Sequence, residues 1–299
     1  MTSGTKARPT PAPNVDARAG AERLPEHASL TVIEPQTGVP SLGLGELWAY
    51  RELLYFITWR DIKVRYKQTA LGVLWIVLQP LLGAGILTFI FGKVGGFATS
   101  YPITFAGMVI WNTFSSALTR ASGVMVGNQQ LVSKIYFPRV LLPVATLIST
   151  LVDAAVSFLM LAVIMVLYHE PPSYWIWLMP VFVVLSLVLA LGIGLFLTAL
   201  QVRYRDVGYM LPVMTQMLLW ASPVAYTAAY VVHKVPKYQT LYFLNPLVPL
   251  IEGFRWSVLR DAPSPGLGWI GYTAAVSLVL LLVGAVVFRR MEKDFADVI

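Results

Sequence analysis

Six stretches of the chain are almost free of charge: 73–91, 103–119, 140–167, 176–200, 208–227 and 269–288. Each comes close to the length, about 20 residues, that an α-helix needs to cross a hydrocarbon core about 30 Å thick. The third and fourth are longer, which predicts tilted or protruding helices. Pro80, Pro212 and Pro223 lie within or beside these runs and predict kinks whose freed carbonyls are satisfied by neighbouring helices. The pattern differs at 46–67. That stretch lacks Gly and Pro, has Leu47, Tyr50, Leu54 and Ile57 at helical spacing, and carries too much charge to span. Trp48, Tyr55 and Trp59 are the amphipathic rings favoured at a headgroup boundary. We read an amphipathic helix lying in the interface, ending in the basic run Arg60, Lys63, Arg65 and Lys67.

Segment 241–259 is apolar but contains Asn245, Pro246, Pro249, Glu252, Gly253 and Arg255. A lipid-facing helix does not tolerate that combination, whereas a re-entrant pair of short helices sheltered by protein does. Residues 1–40 are rich in Pro, Ala, Thr and charge with no apolar period, which predicts a disordered tail. The tail lacks the basic start and apolar core of a signal peptide, so the amino terminus is expected in the cytoplasm.

Charge sets the orientation. With six spans, the Lys and Arg residues from Arg51 to Lys67, together with Arg120, Lys134, Arg139, Arg203, Arg205, Arg289, Arg290 and Lys293, all flank one side. Lys93, Lys234, Lys237, Arg255 and Arg260 fall on the other. Counting 241–259 as a full span would move the last three basic residues outside, against the positive-inside rule. The expected fold is an all-α integral membrane protein with six transmembrane helices. It has an amphipathic N-terminal interfacial helix and a re-entrant external helical hairpin before the last span. Both termini are expected on the cytoplasmic side of the plasma membrane. The divisions are 1–40 (tail), 46–67 (interfacial helix and basic run) and 68–299 (transmembrane domain).

Composition agrees with this picture. Charged residues make up 12% of the chain, against about 25% in an ordinary soluble domain. The formal charge of +7 could suggest nucleic acid, but the basic residues flank apolar runs. Absence of cysteine excludes disulfides, thiol catalysis and Cys-ligated metals. His27, His169 and His233 are too scattered for a His-based metal site. There is no G-x-x-x-x-G-K-[ST], so the chain has no P-loop of its own, and neither H-E-x-x-H nor G-x-S-x-G occurs. Asp153 is the one carboxylate deep in a span; it is either a polar tie to a neighbouring helix or part of a pathway. Gly123 and Gly127 have G-x-x-x-G spacing, which permits close helix approach.

Two segments carry more than hydropathy: RDIKVRYKQTALGVLWIVLQPLL at 60–82 and NQQLVSKIYFPRVLLPV at 128–144. With SPVAY at 222–226 and NPLVPLIEGFR at 245–255, they resemble the membrane subunits of ABC-2 type polysaccharide exporters, the O-antigen and teichoic-acid permeases. The resemblance runs from about Leu47 to the carboxyl terminus. It implies a homodimer working with two separate ATP-binding-cassette subunits, which bind ATP and Mg. It also implies export of a polysaccharide carried on a lipid diphosphate, with O-antigen, teichoic acid and cell-wall galactan all open. This chain would then be a transport subunit, not an enzyme, with no cofactor of its own.

The resemblance assigns roles by position. The loop with Asn128, Leu131, Lys134, Ile135, Tyr136, Phe137 and Arg139 corresponds to a coupling helix that docks on the ATPase; the alternative is an amphipathic turn on the membrane. Arg60, Lys63, Arg65 and Lys67 either orient the first span or recognise the substrate's diphosphate headgroup, to which Arg is suited by bidentate pairing. Phe105, Trp111, Phe114, Trp220 and Tyr226 are candidates for an aromatic channel on which sugar rings slide, or for interfacial anchors. Asn245, Glu252 and Arg255 are candidates for an external gate; Glu252 and Arg255, three apart, share a helix face and can pair. Competing functions are an ABC-2 permease for drugs or small lipids, an integral membrane glycosyl- or acyltransferase, and a secondary transporter. A transferase would need an acid/base or metal constellation near one interface, and none is evident. A secondary transporter would show inverted repeats and further intramembrane ionisable residues.

Overall fold

A computed structural model describes residues 44–67, 72–97, 99–134 and 137–295. The expected tail, Ile135 and Tyr136 lie outside the described residues. The described residues are helical and contain no strand; one isolated antiparallel bridge joins Pro172 to Leu259. In chain order the helices are α1 (Leu44–Ala49), α2 (Arg51–Lys67), α3 (Gly72–Leu87), α4 (Tyr101–Gly127), α5 (Gln129–Lys134) and α6 (Leu141–Leu167). They continue with α7 (Met179–Arg203), α8 (Val207–Ala221), α9 (Ala228–Lys234), α10 (Gln239–Phe243), α11 (Leu247–Val258) and α12 (Leu267–Met291).

Among the described residues, four stretches are long and apolar enough to cross a membrane: Val77–Val94, Leu141–Leu167, Ile176–Arg203 and Leu267–Met291. The first includes a π-helical turn, Thr88–Val94, that extends α3. Helix α8 is apolar but shorter. Helix α4 is long but more polar, and its position explains why. It is the central helix, on which α3, α6, α7, α8 and α11 all pack. Phe105, Ile110, Phe114, Ala117, Ala121 and Met125 are fully buried along it. Its hydroxyls are satisfied locally: Thr113 donates to the Val109 carbonyl at 2.8 Å and Ser122 to the Leu118 carbonyl at 2.8 Å. From α7, Thr198 donates to the Ala121 carbonyl at 2.7 Å. A polar helix survives here because other helices, not lipid, surround it.

Small residues set the closest approach of helices. A Cβ on Gly284 of α12 would strike the Gly192 carbonyl of α7, and one on Gly192 would lie 2.5 Å from the Leu281 nitrogen. The backbones therefore touch directly. Among the described residues, nothing packs within 4 Å of a Cβ built at Gly123 or Gly127, so the G-x-x-x-G pair is not the close crossing within this chain. Helix α6 ends where His169 takes a left-handed conformation at φ 56°, with Glu170 N–H donating to the Met165 carbonyl and His169 N–H to the Val166 carbonyl.

Segment 241–259 is not one helix. It forms α10 and α11, broken at 244–246. Asn245 shapes the break: its Oδ1 accepts from Leu247 N–H at 3.1 Å and its Nδ2 donates to Ser222 Oγ at 3.1 Å. The run 208–227 is likewise shortened. Helix α8 stops at Ala221, where Ser222 turns extended ahead of Pro223.

Candidate functional site

The polar chemistry gathers at two opposite ends of the bundle. At one end α2, the α4–α6 connection and the end of α12 meet. Helix α2 buries Ile57 and Thr58 and packs Leu53 and Leu54 inward. Its outer face holds aromatics, with Tyr55 62% exposed and Phe56 66%, and Trp48 of α1 is exposed just before them. Tyr55 stacks on Trp59, and Lys63 lies 5.5 Å over the Trp59 ring. This is the surface expected of a helix lying in an interface.

The basic run is divided among partners. Arg60 pairs with Asp61 at 2.9 Å and donates to Asn128 Oδ1 at 2.7 Å, tying α2 to the α4–α6 connection. Lys67 is exposed at the end of the helix. Arg65 turns inward, and its Nη1 meets Asp153 Oδ2 at 2.5 Å. The same oxygen takes Arg120 Nη2 at 2.7 Å, while Tyr66 donates to Asp153 Oδ1 at 2.6 Å. Asp153 is thus a tie, as one reading of the sequence had it, but to α2 and α4 through two arginines and a tyrosine. Burial pushes the Tyr66 hydroxyl up to about 12, and the adjacent Asp153 carboxylate adds to the shift.

The 128–139 connection is anchored on its inner face. Asn128 Nδ2 donates to the Val124 carbonyl at 2.9 Å. Val132 and Phe137 are buried in a cluster with Ile57, Phe288 and Phe295. Of the described apolar residues named for docking, Leu131 keeps partial exposure and Phe137 does not; Lys134 is exposed. Arg139 is held by the end of the chain. Its backbone N–H donates to Glu292 Oε1 at 3.1 Å, its guanidinium donates to the Glu292 carbonyl, and it lies over the Phe295 ring.

At the other end stands Arg255, 1% exposed, with its donors spent inside the protein. It reaches the carbonyls of Ile103 (3.0 Å), Tyr226 (2.9 Å) and Val224 (2.7 Å), and Glu252 Oε1 (3.1 Å). Glu252 Oε1 also accepts the Ala228 N–H at 2.7 Å. The buried pair therefore binds α11 to α4 and to the 222–228 turn, and these hydrogen bonds offset the burial of both charges. A side chain on Gly107 would collide with this guanidinium, so only glycine fits there.

The aromatics named from the sequence separate into two sets. Phe105, Trp111 and Phe114 are buried in the main core, at 0%, 5% and 1% exposure. Inside one chain they are packing residues, because the first half of α4 is covered by its neighbours. Trp220 is exposed and Tyr226 half-buried. These two join Phe91 from the π-helical turn, with Phe91 6.3 Å from Trp220 and 6.1 Å from Tyr226 between ring centres. Phe97 stacks 4.2 Å from Tyr230, and Tyr242 donates to the Tyr226 hydroxyl at 3.3 Å. Phe91, Phe97, Tyr66, Glu292 and Phe295 were not singled out from the sequence, and Arg120 was counted only as a flanking cation. Their roles come from contacts between distant segments, and no local spacing signals them.

Among the described residues, neither end holds a nucleophile beside a base. Both are polar ties between helices distant in sequence. The comparisons with known proteins agree. Residues 52–259 match the ABC-2 type transporter family, and the chain belongs to that family. It is a multi-pass membrane transport subunit. It is 27% identical to the O-antigen export system permease protein of Myxococcus xanthus, over 84% of this chain and 97% of that one. It is 26% identical to the corresponding protein of Klebsiella pneumoniae, over 83% of this chain and 95% of the other. The polysialic acid transport protein of Escherichia coli is 28% identical, over 78% and 91% of the two chains.

Proposed function

We propose that this chain is the permease subunit of an ABC transporter that exports a lipid-diphosphate-linked polysaccharide across the cytoplasmic membrane. The observation that carries the reading is the likeness over nearly the whole length of polysaccharide-export permeases from several bacteria. Two copies pair, and each engages an ATP-binding subunit that holds ATP and Mg. The spans are α3 with its π-helical turn, α4, α6, α7, α8 and α12, with both termini cytoplasmic and α10–α11 as the external re-entrant hairpin. Helix α8 presents Tyr209, Met210, Met217 and Trp220, and α3 with its π-helical turn presents Leu82, Ile86, Phe89 and Ile90, apolar faces open to lipid or to the second copy.

In this reading the exposed side of α5, with Gln130, Ser133 and Lys134, docks on the ATPase. ATP-driven closure pushes on the 128–139 connection, and Arg60 and Arg139 pass the push to α2 and α12. The basic segment of α2 meets the diphosphate headgroup. The Trp220–Tyr226 aromatics meet the sugar, and the Glu252–Arg255 node closes the outer mouth.

The test is ATP hydrolysis in lipid vesicles by this chain alone, and with candidate P-loop subunits. The expected result is hydrolysis only in a stable complex, stimulated by lipid-linked glycan. A complex that hydrolyses ATP but responds only to small drugs or phospholipids would replace the polysaccharide reading. Failure to bind any ATPase would overturn the transporter mechanism.

A further inference from the structure

The end of the bundle that carries Tyr226 is short of negative charge. Segments 88–100 and 222–246 meet there, with the Phe91 and Tyr226 ring centres 6.1 Å apart. They hold Lys93, Lys234 and Lys237 and no Asp or Glu. All three lysines are exposed, and among the described residues none of them forms an ion pair. The local backbone brings them to one aromatic cluster. Gly96 takes φ 66° and the Phe97 N–H returns to the Phe91 carbonyl at 2.9 Å, so the chain after Lys93 folds back on the π-helical turn. A Cβ on Gly95 would lie 2.9 Å from that carbonyl, so only glycine lets the fold-back close this tightly. Phe97 thereby meets Tyr230 of α9, with ring centres 4.2 Å apart. Lys234 lies one turn beyond Tyr230, its Nζ 6.0 Å from that ring, and Lys237 follows in the 3-10 turn Pro236–Tyr238. Orientation does not ask for lysines on the side that the proposed reading places outside; the positive-inside rule disfavours them there. Nor does anchoring to headgroups. The 168–178 connection lies at the same end, with Tyr168 5.6 Å from Tyr101 between ring centres. It exposes Tyr174, Trp175 and Trp177 and has no Lys or Arg of its own, Arg260 reaching Tyr174 from beyond α11.

We propose that Lys93, Lys234 and Lys237 form, with the Phe97–Tyr230 pair, a binding strip for an acidic glycan, a polymer that carries carboxylate or phosphate groups along its length. The ammonium groups take the anions, and the rings take the apolar C–H faces of the sugars between them. A lysine ammonium is a point charge on a flexible stem, so it follows an anion that changes position, where an arginine fork would fix one geometry. That suits a chain that passes through. Neither segment has a carboxylate to compete for the lysines or to repel the polymer. This deepens the proposed function and rests on it for the glycan and for the outer side; it names the chemical class of the polymer, which that reading left open.

The test uses the full chain in phosphatidylcholine nanodiscs, which leave both faces open to the buffer. The probes are oligogalacturonate, with a carboxylate on every ring, and maltodextrin of equal length, with none; calorimetry reads both. Oligogalacturonate is expected to bind, less tightly as salt rises, and maltodextrin about tenfold more weakly. Lys93→Gln, Lys234→Gln and Lys237→Gln together are expected to cost about tenfold in oligogalacturonate affinity, the combined effect of three exposed ion pairs. Lys93→Arg, Lys234→Arg and Lys237→Arg together should keep it. The three side chains are exposed, so both triple variants are expected to unfold at the wild-type temperature. Equal affinity for the two oligomers overturns the acidic class. Oligogalacturonate binding that the triple Gln variant leaves unchanged belongs to the basic residues at the other end and overturns the strip. Binding of neither oligomer overturns it too. So does lysine-dependent retention of phosphatidylglycerol, added to the discs and read by native mass spectrometry, in a protein that binds no oligomer; the partner is then a lipid headgroup. None of these results touches the dependence on an ATPase partner by which the export reading stands or falls.

Discussion

Arg139 and Glu292 clasp each other across 153 positions of sequence: the Arg139 N–H reaches the Glu292 carboxylate at 3.1 Å while the guanidinium takes the Glu292 carbonyl. The last described turn of the chain is thereby fixed to the exit of the 128–139 connection. Glu292→Ala removes the carboxylate acceptor and is expected to cost about 1–2 kcal/mol. Hydrogen exchange of the amides around 137–142 should quicken in the variant, while the α7–α12 crossing keeps its protection.

The same connection has an inner and an outer face, and the two should respond differently. Phe137 is buried, so Phe137→Ala opens a cavity and is expected to destabilise the subunit by about 3–5 kcal/mol. Lys134→Glu changes an exposed cation and should leave thermal unfolding in detergent unchanged while weakening association with the ATPase. A Phe137→Ala protein of wild-type stability would contradict the packing described.

Removing Arg255 strands Glu252 in the core. Arg255→Ala is expected to cost about 3–5 kcal/mol, as for other broken buried pairs. If the node also closes the outer mouth, vesicles carrying the variant will leak small solutes at rest. Glu252→Gln with Arg255→Met, which removes both charges, should recover much of the stability without restoring closure.

Tyr66 gives the chain a signature at high pH. Its hydroxyl is raised from 10.0 to about 12 in the fold, so the folded state holds the proton more tightly than the unfolded one. The resulting stabilisation is fully present below the ordinary value and disappears as pH climbs through about 12. Tyrosinate absorbance of the wild type minus that of Tyr66→Phe should show this late titration. Asp153→Asn should move it down, though not to the ordinary value, because burial is the larger cause.

What the sequence reveals and conceals follows the range of the forces involved. The run at 140–167 became Leu141–Leu167 because uninterrupted apolar length alone defines such a helix. The pair Glu252 and Arg255 was legible because their relation is set by three residues of helical geometry. The triad at Asp153 was not: Arg65 lies 88 positions away, and in sequence it is one more cation beside a first span. Helix α4 was read as an apolar span of 103–119, yet it runs from Tyr101 to Gly127, with polar groups of its second half such as Arg120 and Ser122 finding partners that hydropathy does not show. Burial of Phe105, Trp111 and Phe114 was hidden for the same reason, since an aromatic ring on an apolar helix gives no sign of which neighbour covers it.

The contact of Gly192 with Gly284 has a mechanical meaning. Helices that interlock through large side chains must unmesh before they rotate, and each escaped rotamer raises the barrier. Two smooth backbones have nothing to unmesh. At this crossing the two axes come as close as backbone allows, and a side chain at either glycine would prise α7 and α12 apart along the whole seam they share.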